Sequence, residues 1–217
     1  MKKFLLFLTC LSISIVCLAQ VKKFTATLNP LSFLEPDAGF TPGIGYNISN
    51  RLAIYSDVGI IFYDAFLNNG ERKTINLSYK IKPALRYYTK ETEIPSGSFL
   101  EIEGLYKRVN YRDNDEIRVL DNQNNLAYIY SGGYTKIKQV YGGSFKYGYR
   151  FFLNPEKRLG IDAFVGIGTR RYKVEAKGLP PNATIDEFEI FRNINSPISE
   201  NRNAPSLPFG AKLFYTF

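Results

Sequence analysis

The chain has no histidine, no tryptophan and a single methionine, and its only two cysteines, Cys10 and Cys17, sit at its start. Each absence closes a class of chemistry. Without histidine no Ser-His or Cys-His pair can form, so hydrolases and transferases that rely on imidazole are excluded. Beyond Cys17 there is no thiol, hence no disulfide and no cysteine-ligated metal in that part of the chain. After residue 19 no run approaches the ~18 apolar residues of a membrane-spanning helix. Acidic residues are in the minority, 20 against 28 basic, for a formal charge of +8. Aromatic residues, in contrast, are abundant: 16 tyrosines and 17 phenylalanines in 217 residues.

Residues 1–19 stand apart. Lys2 and Lys3, an apolar stretch from Phe4 to Val16, and Cys17-Leu18-Ala19 have the plan of a secretory signal peptide cleaved after Ala19. The alternative is acylation at Cys17, which Val16 disfavours because a small residue is preferred there. From residue 20 onward the dominant period is two. At the end of the chain Leu207, Phe209, Ala211, Leu213, Tyr215 and Phe217 take one face. Pro208, Gly210, Lys212, Phe214 and Thr216 take the other, as in a strand between two environments. In an open sheet such a strand would present an unpaired apolar edge; a closed barrel has no edge.

Eight segments alternate in this way, at about 21–33, 40–48, 51–63, 73–88, 98–111, 135–153, 158–173 and 207–217. In the clearest, Ile75, Leu77, Tyr79, Ile81, Leu85 and Tyr87 oppose Asn76, Ser78, Lys80, Lys82 and Arg86. Pro83 lacks an N–H, which predicts a bulge or break there. Short links follow the second, fourth and sixth segments. Mostly longer ones follow the third, fifth and seventh, including an asparagine-rich stretch over 112–134 and a proline-containing one over 175–205. Each segment meets the ~9–11 residues that a tilted membrane strand requires. The apolar face ends in aromatics at both levels. Tyr46, Tyr87, Tyr149, Phe151, Tyr215 and Phe217 lie at one end, and Phe40, Phe62, Tyr106 and Phe209 at the other, as two girdles. The fold expected is all-β: an eight-stranded antiparallel up-and-down transmembrane β-barrel formed by residues 20–217, with short periplasmic turns and longer extracellular loops.

The signal-peptide pattern, the alternating segments, glycines at 142–143, 148, 160, 166 and 168, and the terminal Phe217 resemble the small eight-stranded outer-membrane β-barrel proteins of Gram-negative bacteria. That class includes families without assigned function. The resemblance implies an outer-membrane location and assembly by the barrel-assembly machinery through the strand ending in Phe217. It also implies contact with outer-membrane lipids, lipopolysaccharide among them. The roles it implies are scaffold, adhesin, surface-binding protein or small pore, and it transfers no catalytic residue.

With the apolar face toward lipid, the other parity lines the lumen. It holds the cations Lys23, Arg51, Lys80, Lys82, Arg86, Lys107, Lys138, Lys146, Arg150, Arg170 and Lys212, and the anions Asp57, Glu101, Glu103 and Asp162. Folding the hairpins sets Asp57 near Lys80, Arg86 near Glu101, Arg150 near Asp162, and Glu103 diagonal to Lys82 and Arg86. An eight-stranded barrel is only just wide enough for side chains to fill it, so a paired-charge core is the leading expectation. The cation excess leaves a narrow anion-selective pore as the alternative. A soluble lipocalin-like barrel, with its apolar face inward, is a third reading. Arg108, Arg171 and Lys173 take the outward parity at the far strand ends, where lipid phosphate would lie. Glu101 and Glu103 alternate with cations and read as salt-bridge partners, not as a glycosidase pair. Asp113-Asn-Asp-Glu116 lacks the spacing and glycine of a calcium loop. The sequon at Asn182 carries no argument, and cations that line a lumen do not imply nucleic acid. The expected protein is non-enzymatic, with no metal and no cofactor.

Overall fold

The computed structural model describes residues 24–33, 35, 37–64, 75–92, 94–113, 117–120, 126–180, 183–184 and 199–217. Residues 1–19, expected from the sequence to be a signal peptide and including Cys17, as well as Lys23, residues 114–116 of the acidic run and Asn182, lie outside these. Eight strands form the wall. They are β1 (Phe24–Leu28), β2 in two pieces (Asp37–Phe40 and Pro42–Asn47), β3 (Leu52–Asp64) and β4 (Ile75–Tyr88). Then come β5 (Gly97–Asp113), β6 (Tyr134–Phe152), β7 (Leu159–Lys177) and β8, again in two pieces (Ser199–Ser206 and Phe209–Thr216).

Each strand pairs antiparallel with the next, and β8 returns to β1, so the barrel is closed. Closure sets Thr25 opposite Thr216 and Leu28 opposite Leu213. It is completed by the Phe217 N–H donating to the Phe24 carbonyl at 2.9 Å. One end carries the tight connections. At the β2–β3 turn the Ile48 and Ser49 amides donate to the Leu52 carbonyl. At the β6–β7 turn the Asn154 side chain accepts from the Arg158 and Leu159 amides. This is the turn end; the other is the loop end.

The alternation sorts the two faces. Val58, Ile60, Phe62, Leu77, Ile102, Phe145, Val165, Ile167 and Phe209 are exposed on the outside. Thr27, Tyr55, Asp57, Lys80, Arg86, Phe99, Glu101, Lys146, Arg150, Asp162 and Lys212 are buried inside. Outward aromatics touch at both levels. At the turn end Phe24 meets Tyr46 and Tyr149 meets Phe151, with ring centroids 5.0 and 4.6 Å apart. At the loop end Phe33 meets Phe62 at 6.3 Å.

Several boundaries differ from the sequence reading. The first segment is a strand only to Leu28. Asn29 still donates to the Thr41 carbonyl, but Pro30 has no N–H to continue the ladder, and Pro30–Phe33 make a 3-10 turn packed against β8. β8 begins earlier than expected and is interrupted only at Leu207 and Pro208, where again an amide is missing. Pro83 does not break β4. It stays in register opposite Ser56 on β3, while the pairing to β5 skips Lys82 and Pro83, a local gap as expected, and a register shift falls farther along, between Asn76 and Tyr79. The polar stretch after β5 is not structureless. Ile117–Leu120 pairs with Leu126–Tyr130 and with Ala183–Thr184 in a small second sheet.

Candidate functional site: the lumen and the outer rim

The lumen is filled in layers. Nearest the turn end, Arg86 from β4 lies between the rings of Tyr55 and Phe99, its guanidinium carbon 4.4 and 3.7 Å from their centroids. Its Nε donates to Glu101 at 2.8 Å and its Nη1 to Asp162 at 2.5 Å. Arg150 from β6 grips Asp162 with two bonds of 2.7 Å and lies 4.0 Å over the Phe214 ring. A planar fork can hold a carboxylate by its edge while its faces stack on aromatics, which a lysine ammonium cannot do. The Tyr55 and Tyr88 hydroxyls bond each other at 3.2 Å.

Above this, Lys146 reaches both Glu101, at 3.4 Å, and Glu103. Lys212 from β8 crosses to Asp57 on β3 at 2.5 Å, and the Thr27 hydroxyl donates to the other Asp57 oxygen at 3.1 Å. Toward the loop end, Lys80 and Lys82 hold Glu35 at 2.8 and 3.4 Å. Lys107 and Lys138 hold Asp37 at 2.8 and 3.3 Å. Glu35 belongs to the β1–β2 connection. Burial opposes its ionisation, but the charges of Lys82, Lys80 and Lys107 outweigh burial and hold its carboxyl down at about 2.

The expected neighbours Arg86–Glu101 and Arg150–Asp162 are in contact. Asp57 does not pair with Lys80. Its backbone lies opposite Lys82, and its side chain crosses the lumen to Lys212. Glu103 pairs with Lys146 on its other neighbouring strand rather than with Lys82 or Arg86. Arg51 is at the turn end outside the lumen, exposed and 3.1 Å from Glu91. Arg170 is half-buried on β7. The sequence reading missed Glu35 and Asp37, and also Lys136, which is buried on the lumen parity beside Lys138. Asp37 could have been found by extending the inward parity of Gly43 and Thr41 backwards. Glu35 sits in a turn with no period to follow.

On the outside, the register gathers the rim. Arg108 on β5 lies opposite Tyr79 on β4 and Gln139 on β6, and Gln139 lies opposite Lys173 on β7. One row lower, Tyr106, Tyr141 and Arg171 are aligned across the same three strands. The Tyr79, Tyr106 and Tyr141 rings form a continuous series, with centroids 5.9 and 5.2 Å apart. Arg108 Nε donates to Asn110 Oδ1 at 3.3 Å, and Lys173 is 2.6 Å from Glu175. Arg108 and Lys173 therefore share one row, and Arg171 lies in the row directly beneath it, at the end of the Tyr106–Tyr141 pair.

The family described as "Protein of unknown function (DUF3575)" matches this chain over residues 4–181. No curated protein and no solved structure matches it.

Proposed function

We propose that this chain, which belongs to the DUF3575 family of proteins of unknown function, is a non-enzymatic outer-membrane barrel: a rigid transmembrane pedestal that makes its contacts through its outer rim and loops. The observation that carries this reading is the inversion of the fold. Leu77, Ile102, Ile167 and Phe209 are 79, 61, 66 and 77% exposed on the outside, while Lys80, Arg86 and Asp162 are fully buried within. In water that arrangement leaves a continuous apolar band unburied. In a bilayer the band is solvated by acyl chains and the charges are shielded by the wall. Two aromatic girdles and the end-to-end asymmetry of the connections support the same placement, with the turn end facing the periplasm. The N-terminal pattern over residues 1–19 supplies the export signal this requires.

Within this reading, the ion-paired lumen favours a scaffold over a conducting pore. Layers from Arg86–Asp162 up to Lys138–Asp37 bridge strands that are not neighbours, so opposite walls are tied together by side chains. The test uses the full chain in detergent and in planar bilayers. Detergent-dependent solubility and heat-modifiable gel migration without step conductance are expected. Solubility without detergent would overturn the membrane placement, and regular anion-selective steps would replace the scaffold with a pore.

A further inference from the structure

Building on the membrane placement proposed above, we infer that the outer face of β5, β6 and β7 holds one phosphate-bearing lipid, its phosphate on the rim cations and its upper acyl chain in a hollow beneath them. Cations on the lipid-facing parity are costly unless they reach the polar layer, and most useful where that layer offers an anion. Arg108 and Lys173 flank Gln139 across two strand spacings, roughly 10 Å, so both long side chains can converge over the residue between them. Gln139 Oε1 accepts from the Tyr141 hydroxyl at 3.3 Å, so what its amide can offer an anion is the N–H donors of Nε2. Arg171 adds a second fork one row down. Arg forks match phosphate oxygens in pairs, and Lys173 would exchange Glu175 for phosphate.

The hollow is the second element. Directly below Tyr106 and Tyr141, the next outward row pairs Gly104 with Gly143. A Cβ at Gly143 would meet nothing closer than 3.9 Å, and one at Gly104 nothing closer than 3.5 Å. Packing within the protein therefore does not demand glycine at either place. The row beneath is Ile102, Phe145 and Ile167, all exposed. The result is a dent with a backbone floor, aromatic above and apolar below, placed where the first methylenes of a lipid lie if its phosphate sits at the cations.

The experiment measures retention of phosphatidic acid and of phosphatidylcholine by the full-length protein after reconstitution and detergent exchange. Three variants are compared with the parent: Arg108→Gln/Arg171→Gln/Lys173→Gln, Arg108→Gln/Arg171→Gln, and Gly143→Leu. The parent should prefer phosphatidic acid, whose phosphate is uncapped, by about tenfold. The cation variants should lose that preference, and Gly143→Leu should lower retention of both lipids while leaving the fold intact. The double variant answers the question if the triple does not assemble. Inorganic phosphate competing as well as the lipid, together with no effect of Gly143→Leu, would show a bare anion site and overturn the lipid assignment. Unchanged retention in the folded cation variants would overturn the site while leaving the membrane placement standing. Failure of the parent to enter vesicles would instead remove the placement on which the site rests.

Discussion

Phe99 and Gly148 face each other across the β5–β6 ladder, and the phenylalanine ring lies where a Cβ on residue 148 would be. The same relationship holds between Tyr55 and Gly45 and between Phe214 and Gly160, each a register pair. A ring lying on a neighbouring glycine takes the space of two inward side chains and covers the backbone beneath it. Three such pairs give the narrow lumen room for aromatics and two arginines. The rings in turn are the surfaces on which Arg86 and Arg150 stack.

Adding a methyl group should therefore act through the plug. Gly148→Ala must push Phe99 off its seat, and with it the Arg86 guanidinium, and also presses on the Ala163 carbonyl oxygen of the neighbouring strand. The expected loss is about 1–3 kcal/mol, the usual cost of overpacking a filled core. Gly143→Ala, on the open outer face, should change stability by less than ~0.5 kcal/mol. Unfolding in denaturant, with the protein in lipid or detergent, measures both. Equal midpoints for the two variants would show that the rings do not depend on the glycines.

Asp162 is the anion shared by both arginines of the plug, and it is fully buried. Asp162→Asn keeps the shape but leaves Arg86 with Glu101 and takes from Arg150 the carboxylate that its fork grips. Breaking a buried ion pair by removing one partner costs about 3–5 kcal/mol, because the remaining charge stays buried. The triple change Arg86→Met/Glu101→Met/Asp162→Asn should be less destabilised than the sum of its parts, since three charges leave together. Additive losses in an unfolding cycle would mean the charges act independently.

How much of this was legible follows from the kind of contact. Period-two alternation located all eight strands, because one-sided burial acts residue by residue. It misplaced ends where a single missing amide decides, as at Pro30 and Pro208. Ion pairs between adjacent strands, Arg86–Glu101 and Arg150–Asp162, could be read by folding hairpins on paper. Those that cross the lumen, Asp57–Lys212 and Asp37–Lys138, could not, since they depend on closure and diameter rather than on any local pairing. The rim shows the same division. Parity placed Arg108, Arg171 and Lys173 outside, but their shared rows with Tyr79, Tyr141 and Gln139 depend on the register across three strand pairs, which alternation along one strand does not give.

Glu35 couples the β1–β2 connection to the lumen, and its carboxyl is held at about 2, below its ordinary 4.5. A carboxylate with a depressed folded-state pKa contributes stability that is complete above the unfolded value and is lost as pH falls through the folded one. The contribution should thus be present at neutral pH and fade between about 4.5 and 2. Glu35→Gln should be less stable than the parent at pH 7, and the difference should shrink across that window. A gap that stays constant with pH would show that the Lys80 and Lys82 contacts do not stabilise the fold.

Val165 tests the placement of the whole barrel. Its side chain is 59% exposed on the outer face, between Tyr147 on β6 and Phe209 on β8 in the same register row. That row lies two below the hollow at Gly143 and four below Lys173, each row being one outward residue, or about 6.6 Å of strand. If the rim cations mark the polar layer, Val165 is on the order of 20 Å below them along a tilted strand, inside the hydrocarbon. Arginine at that depth should cost roughly 2–4 kcal/mol in a bilayer, as a midplane cation does in membrane barrels generally. Thr169→Arg, just under the rim, should cost at most ~1 kcal/mol, because its charge can reach the interface. Folding titrations in vesicles give the two differences. A depth-independent result, with Val165→Arg as well tolerated as Thr169→Arg, would mean that this face meets water and that the apolar band has another partner.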